Sequence, residues 1–154
     1  MIRGFLRLTF GCLSLFVSYN AQANPYKEYN SWYAKDGVMY DMTQTSDGQP
    51  VMISIYAPGK STTNMVISYY SGGNCQNPST ALKVDASITP THYSCITVHD
   101  GRINHFAVSD VGSVNYIVNR LRSGFTVILQ DEIKIWAANF NTPKFGIAPD
   151  FLTD

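Results

Sequence analysis

Short segments of alternating apolar and polar residues, separated by turn residues, constrain the fold of this chain more than any other feature. Residues 51–57 read VMISIYA, which places β-branched side chains on one face, and residues 38–45 alternate in the same way. Period-two alternation is typical of a β-strand with one buried face. The turn sequence at 46–50 therefore predicts a hairpin flanked by Thr45 and Val51.

The same pattern predicts further short strands over residues 64–70, 81–85, 93–98, 105–108, 125–130 and 133–137. A helix is expected late in the chain, where apolar residues recur at three- and four-residue spacing. Ser109 or Asp110 can cap its start, and Gly124 can close it. The expected fold class is mostly β, a small barrel or sandwich of about six to nine strands, with one α-helix near residues 110–123.

The start of the chain is typical of a secretory signal peptide. Basic residues precede an apolar run over residues 8–17, and the stretch SYNAQA ends in a small-x-small pattern. This order predicts a signal peptide over residues 1–23 with cleavage after Ala23. The run is about half the roughly 20 apolar residues that a membrane span needs. We therefore expect residues 24–154 to form a single mostly-β domain in the periplasm or outside the cell, with no membrane span in the mature chain.

The cysteines support export. Cleavage removes Cys12 and leaves Cys75 and Cys95, and a cysteine pair in an oxidising compartment most simply forms a disulfide. Closing that loop of about 20 residues removes roughly 3 kcal/mol of unfolded-state entropy. No C-x-x-C or H-x-x-x-H spacing is present, so we expect no metal site and no cofactor.

Charge is sparse and balanced, with 11 basic and 11 acidic side chains. The first 23 residues carry basic charges alone, so their removal leaves a slightly acidic chain. Such a chain offers no basic stripe for a phosphate backbone, and we expect no nucleic-acid partner. An aromatic content of 13% is also too high for a disordered, solvating segment.

The sequence contains no catalytic constellation. The candidate bases are the 3 histidines, His92, His99 and His105. No nucleophile motif adjoins them, and no serine lies in a G-x-S-x-G sequence. The acidic pairs lie in or beside predicted turns, Asp36 with Asp41 and Asp131 with Glu132. Because nucleophilic catalysis needs a base and an orienting group, we expect no catalytic residues and a non-enzymatic role.

Aromatic side chains are the remaining candidates for recognition. The chain has 10 tyrosines and 2 tryptophans, several of them clustered, and these side chains combine an apolar face with a polar group suited to binding. Two interpretations stay open: the aromatics form a surface site, or they fill the strand faces of the core. The possible binding aromatics are Trp32, Tyr33, Tyr69, Tyr70 and Trp136.

Short segments in a particular order resemble the invasion-associated locus B family of exported bacterial proteins. They begin with Trp32, continue through MTQ and DGQPVMISI, and end with LKVD, YSC, LRSG and NF at 139–140. The resemblance implies an envelope or host-interaction protein that binds an unknown protein or glycan partner. Family members usually carry additional cysteines, near the first tryptophan and soon after the one corresponding to Cys95, so their disulfide pattern is not carried over.

The end of the chain is similar to a second group. A helix, a hairpin and then WAANFNTP at 136–143 resemble the tail of the pentameric glycan-binding B subunits of bacterial toxins. That resemblance implies an OB fold in which Trp136 stacks on a sugar. An OB fold needs about five strands, fewer than the sequence pattern predicts.

Overall fold

The computed structural model describes residues 28–75 and 81–147, so the predicted signal peptide at 1–23 lies outside the described residues. Within these ranges the chain forms 11 strands and a single helix. In chain order they are β1 (Tyr33–Lys35), β2 (Val38–Gln44), β3 (Pro50–Tyr56), β4 (Asn64–Ser71), β5 (Ala81–Val84), β6 (Ser87–Pro90), β7 (His92–Val98), β8 (Gly101–Val108), α1 (Val111–Arg122), β9 (Val127–Leu129), β10 (Ile133–Ile135) and β11 (Lys144–Phe145).

The described strands form two sheets. The large sheet has 7 strands in the order β11-β1-β2-β3-β4-β8-β7, and the small sheet has 4 strands in the order β10-β9-β5-β6. Neighbours pair antiparallel except β1 and β11, which run parallel. The predicted hairpin is confirmed: β2 and β3 pair in a register that sets Gln44 opposite Pro50.

Side-chain alternation decides which face of each strand is buried. Val51, Ile53 and Ile55 on β3 are fully buried, whereas Tyr56 on the opposite face is 45% exposed. The buried face of the large sheet packs with the small sheet and α1 around one core. Burial of β-branched and aliphatic side chains from all three units holds them together.

The helix begins and ends as its sequence indicates. Asp110 is the N-cap and accepts a hydrogen bond from the Ser113 backbone N–H at 2.7 Å. Hydrogen bonding to the Ser113 side chain, and less so to its backbone N–H, holds the pKa of the Asp110 carboxyl below the usual range. Gly124 follows the C-cap with φ +83°, a left-handed conformation that glycine adopts without strain. The buried stripe comprises Val114, Ile117, Val118 and Leu121.

The mostly-β class with one helix is confirmed, and the arrangement left open is settled against a closed barrel. The count in the described residues exceeds the expected six to nine, because the sequence pattern does not predict the short strands β1, β6 and β11. Strand β8 also begins at Gly101 rather than His105. Its polar residues Arg102 and Asn104 face inward and conceal the alternation. Two separate sheets also differ from the OB fold that the toxin-subunit resemblance implies.

Candidate functional site

The predicted binding aromatics divide into a buried group and an exposed group. Trp32 is fully buried, with its ring edge-on to Phe140 at 4.8 Å between centroids, so it belongs to the core. Tyr33 is half-buried, and its hydroxyl donates to Glu28. Trp136, in contrast, is 44% exposed. Trp32 therefore fills the core, whereas Trp136 lies at the surface.

Trp136, Tyr69 and Tyr70 lie along one groove, which we call the turn groove. Its first half has a volume of about 290 Å³ and is lined by Asn30, Thr43, Thr45, Glu132, Lys134 and Trp136. Its second half has a volume of about 190 Å³ and is lined by Thr45, Gln49, Tyr69, Tyr70, Ser71 and Glu132. Thr45 and Glu132 line both halves. The two halves therefore adjoin at Thr45 and Glu132, between the β2–β3 and β9–β10 turns.

Hydrogen bonds from Trp32 and Thr43 fix the backbone around Trp136. The Trp32 indole Nε1 donates to the Trp136 carbonyl at 2.8 Å, and the Trp32 backbone N–H donates to Asn139 Oδ1 at 2.7 Å. Between the two sheets, Thr43 Oγ1 on β2 donates to the Lys134 carbonyl on β10 at 2.7 Å. The backbone of the exposed ring is thus fixed by buried donors, which preorganises a binding surface.

Tyr69 and Tyr70 point to opposite faces of β4, as consecutive strand residues do. The Tyr69 ring stacks on Phe106 at 5.8 Å. Burial raises the pKa of the Tyr69 hydroxyl, Tyr93 adds a smaller raising contribution, and Arg102 opposes the shift. Tyr70 donates its hydroxyl to the Asp100 carbonyl at 2.5 Å. Both residues line the second half of the turn groove, from opposite faces of β4, and we call this end of β4 the tyrosine wall.

Glycine at 101 is what lets Tyr70 reach that position. A Cβ at Gly101 would lie 2.5 Å from the Ser71 carbonyl oxygen and 2.6 Å from the Tyr70 hydroxyl. The Ser71 oxygen is backbone paired across the sheet and cannot move away cheaply. Close packing here needs a residue without a side chain.

The turn groove is rich in polar groups and carries a small negative charge. Glu132 accepts a hydrogen bond from Ser46 Oγ at 2.7 Å, and Asp47 accepts one from Thr45. Lys134 is the basic residue among those lining the groove. Sequence reasoning interpreted Glu132 and Asp47 as ordinary turn residues, because nothing in their local sequence shows that their turns meet.

A buried polar network supports the tyrosine wall. Asn104 Nδ2 donates to Ser71 Oγ at 2.7 Å, and the Tyr93 hydroxyl donates to Asn104 Oδ1 at 2.8 Å. Arg102 Nε donates to Ser71 Oγ at 2.9 Å. These bonds satisfy the inward-facing polar groups of β8 and fix the end of β4.

The predicted disulfide between Cys75 and Cys95 is confirmed, with Cα atoms 5.9 Å apart. It ties the chain after β4 to strand β7. Arg102 Nη1 adds a bond to the Asn74 carbonyl at 2.6 Å. The segment that leads out of the tyrosine wall is therefore anchored by covalent and charged contacts.

The histidines lie apart from the turn groove. His105 Nδ1 is 2.7 Å from Ser68 Oγ on the outer face of the large sheet, and burial lowers the pKa of its imidazole. His105 Nε2 is buried without a hydrogen-bond partner, so no carboxylate orients the ring as a catalytic serine–histidine pair requires. His92 and His99 are exposed. Sequence reasoning did not anticipate the Ser68 contact, which arises from pairing of β4 with β8.

Asp41 is a buried carboxyl on strand β2. Its side chain is fully buried on β2 beside Ile53, and neither carboxylate oxygen has a hydrogen-bond partner of good geometry. Burial raises the pKa of Asp41 to about 7, while the backbone groups of Ser31 and Met42 oppose the shift. The sequence offered Asp36 and Asp41 as an acidic pair. The two side chains differ in environment, because Asp41 is buried and Asp36 lies exposed in the β1–β2 turn.

No protein-family model, curated protein or solved structure matches the chain. In residues 28–75 and 81–147, no helix is long and apolar enough to cross a membrane. The same ranges contain no cluster of histidine, cysteine and acidic side chains that could hold a metal ion. The function is therefore argued from the turn groove itself.

Proposed function

We propose that the chain is an exported, non-enzymatic binding protein of the envelope or host-interaction type, and that its ligand occupies the turn groove. The observation that carries this proposal is the fixed presentation of Trp136 and Tyr70 at the two ends of one open groove. Aromatic rings held by buried hydrogen bonds lose little entropy when a ligand packs on them.

Export is supported by the signal-peptide pattern and by the disulfide. The invasion-associated resemblance points to the same compartment. Intact mass of protein purified from the periplasm or the medium tests this part, and we expect a chain that begins at Asn24. A full-length chain recovered from the cytoplasm with free thiols would contradict export.

Retention of a ligand from envelope extract tests the groove. We expect immobilised wild type to retain a component that Trp136→Ala loses. Phe125→Ala is the matched control, because Phe125 is 54% exposed and lies outside the groove-lining residues. Equal retention by the wild type and both variants would place the ligand elsewhere.

A glycan is the second candidate, and the exposure of Trp136 favours it. Sugar rings present C–H groups on their faces and hydroxyls at their rims, so an exposed indole flanked by hydroxyl and carboxylate groups matches both. Thr45, Glu132 and Lys134 supply those polar groups beside Trp136. Binding on a glycan array that Trp136→Ala abolishes is the expected result, and array binding unchanged by that variant would reject Trp136 as the platform.

A further inference from the structure

A third hollow continues the turn groove on the other side of Tyr70. It has a volume of about 320 Å³ and lies on the outer face of the large sheet; we call it the outer hollow. Its lining is more apolar than that of the turn groove. The residues that form it are Gln49, Pro50, Tyr70, Val98, His99, Asp100 and Ile103.

The outer hollow and the turn groove share their boundary residues. Gln49 and Tyr70 line both the outer hollow and the second half of the turn groove. The path therefore runs around the end of the large sheet, from β10 past β2, β3, β4 and β8 to β7. Neighbouring strands lie about 4.8 Å apart, so the part from β2 to β7 alone spans about 19 Å. A disaccharide is too short to occupy the whole path.

The direction of the path argues against an extended peptide. A peptide that adds to a sheet needs a free strand edge running alongside it. This path runs across the strand ends instead: β2, β3, β4 and β8 are paired on both sides, and the path crosses rather than follows the edge strands β10 and β7 at its two limits. Hydrogen bonding along the path comes instead from side-chain hydroxyls, amides and carboxylates, such as Thr45, Gln49 and Glu132. Such groups suit a ligand that offers many hydroxyls.

The charges of the residues that line the path limit the charge of a ligand that can bind there. Asp47, Asp100 and Glu132 line the path, against Lys134 and against His99, whose Nδ1 lies 2.7 Å from Asp100 Oδ1. Carboxylates facing a ligand repel anionic groups. An uncharged ligand fits this balance better than a uronate, a sialylated glycan or a phosphate chain.

We propose that the turn groove and the outer hollow form one continuous site for a linear, uncharged oligosaccharide, with Tyr70 packing on the sugar at the bend. This inference rests on the proposed function and adds the ligand class and a second subsite. Trp136 and Tyr70 then act as separate aromatic platforms for different sugar units of the same chain.

A length series of neutral oligosaccharides on the disulfide-bonded protein tests the inference. The probes are linear β-linked N-acetylglucosamine and glucose oligomers, from the disaccharide to the hexasaccharide, with sialylated and uronate glycans on the same array. We expect affinity to rise through the pentasaccharide. Loss of one stacking contact should weaken the hexasaccharide by about tenfold in Trp136→Ala and again in Tyr70→Ala. Tyr56→Ala, which removes a tyrosine 45% exposed at the opposite end of β3, should leave it unchanged.

The variants separate the inference from the function on which it rests. A disaccharide should lose affinity in Trp136→Ala or in Tyr70→Ala but not in both, because it reaches one platform. Affinity that stops rising at the disaccharide, or hexasaccharide binding that Tyr70→Ala does not weaken, overturns the continuous site and leaves glycan binding at Trp136 standing. Absence of any array binding by the wild type rejects both the continuous site and glycan binding at Trp136. Tighter binding of acidic glycans overturns the uncharged ligand. Thermal unfolding of each variant confirms that it folds.

Discussion

The buried carboxyl of Asp41 makes the stability of the protein depend on pH. Burial raises its pKa from 3.8 to about 7, so the folded state favours the protonated form. A shift of about three units at about 1.4 kcal/mol per unit corresponds to about 4 kcal/mol. That amount is a large fraction of the stability of a domain of this size.

The sign follows from which state binds more protons. Below about pH 4 the carboxyl is protonated in both states and imposes no penalty. Between about pH 4 and about pH 7 the unfolded chain has lost this proton while the folded chain keeps it, so the free energy of unfolding falls as pH rises. Above that window the penalty is constant. Asp41 therefore destabilises the folded protein at neutral and alkaline pH relative to acid pH.

Urea unfolding of the wild type and Asp41→Asn across this pH window measures the effect. The difference in unfolding free energy between the two proteins isolates Asp41 from the other titrating groups. As pH rises from about 4 to about 8, we expect the unfolding free energy of Asp41→Asn to increase by about 4 kcal/mol relative to that of the wild type. Asp36→Asn is the control, because Asp36 is exposed in the β1–β2 turn.

A difference that stays constant with pH would refute this reasoning, since it would mean that Asp41 ionises alike in both states. A shift in the opposite direction would mean that the carboxylate is stabilised in the core. Either result would require a hydrogen-bond partner for the oxygens that the structure leaves without one.

Three further changes probe the framework of the site. Gly101→Ala should lower the free energy of unfolding by about 1–3 kcal/mol in chemical denaturation, because its Cβ would overlap the Ser71 carbonyl. Gly72→Ala is the control and should be nearly neutral, because a Cβ at Gly72 would meet open space. Reduction of Cys75–Cys95 should cost roughly 3 kcal/mol in urea unfolding, and a double serine variant that still responds to reductant would contradict this. Asp110→Ala should cost about 1 kcal/mol by thermal unfolding through loss of the N-cap; an unchanged melting temperature would show that the cap contributes nothing.

Local sequence signals were sufficient for the elements with a regular pattern. The alternation of Val51, Ile53 and Ile55 identifies β3 because a strand buried on one face requires that spacing. The helix is bounded by Asp110 and Gly124, whose side-chain oxygen and left-handed backbone are local requirements of helix ends.

The candidate site depends on contacts between residues that are distant in sequence, and local sequence patterns do not predict such contacts. Trp136 and Tyr70 stand far apart in the chain and share a groove because the β2–β3 turn lies between them in space. Trp32 and Trp136 are both tryptophans in aromatic segments, yet one is buried and the other exposed. Trp32 is buried against Phe140 and hydrogen-bonded to Asn139, residues that are distant from it in the chain.

The most direct test of the ligand site is a map of backbone amide shifts in the ¹⁵N-labelled, disulfide-bonded protein during titration with the neutral hexasaccharide. The turn groove predicts that the largest changes fall on Thr45, Gln49, Tyr70 and Glu132. Changes confined to the separate hollow between β6 and the start of α1, at Thr89 and Ser113, would contradict it.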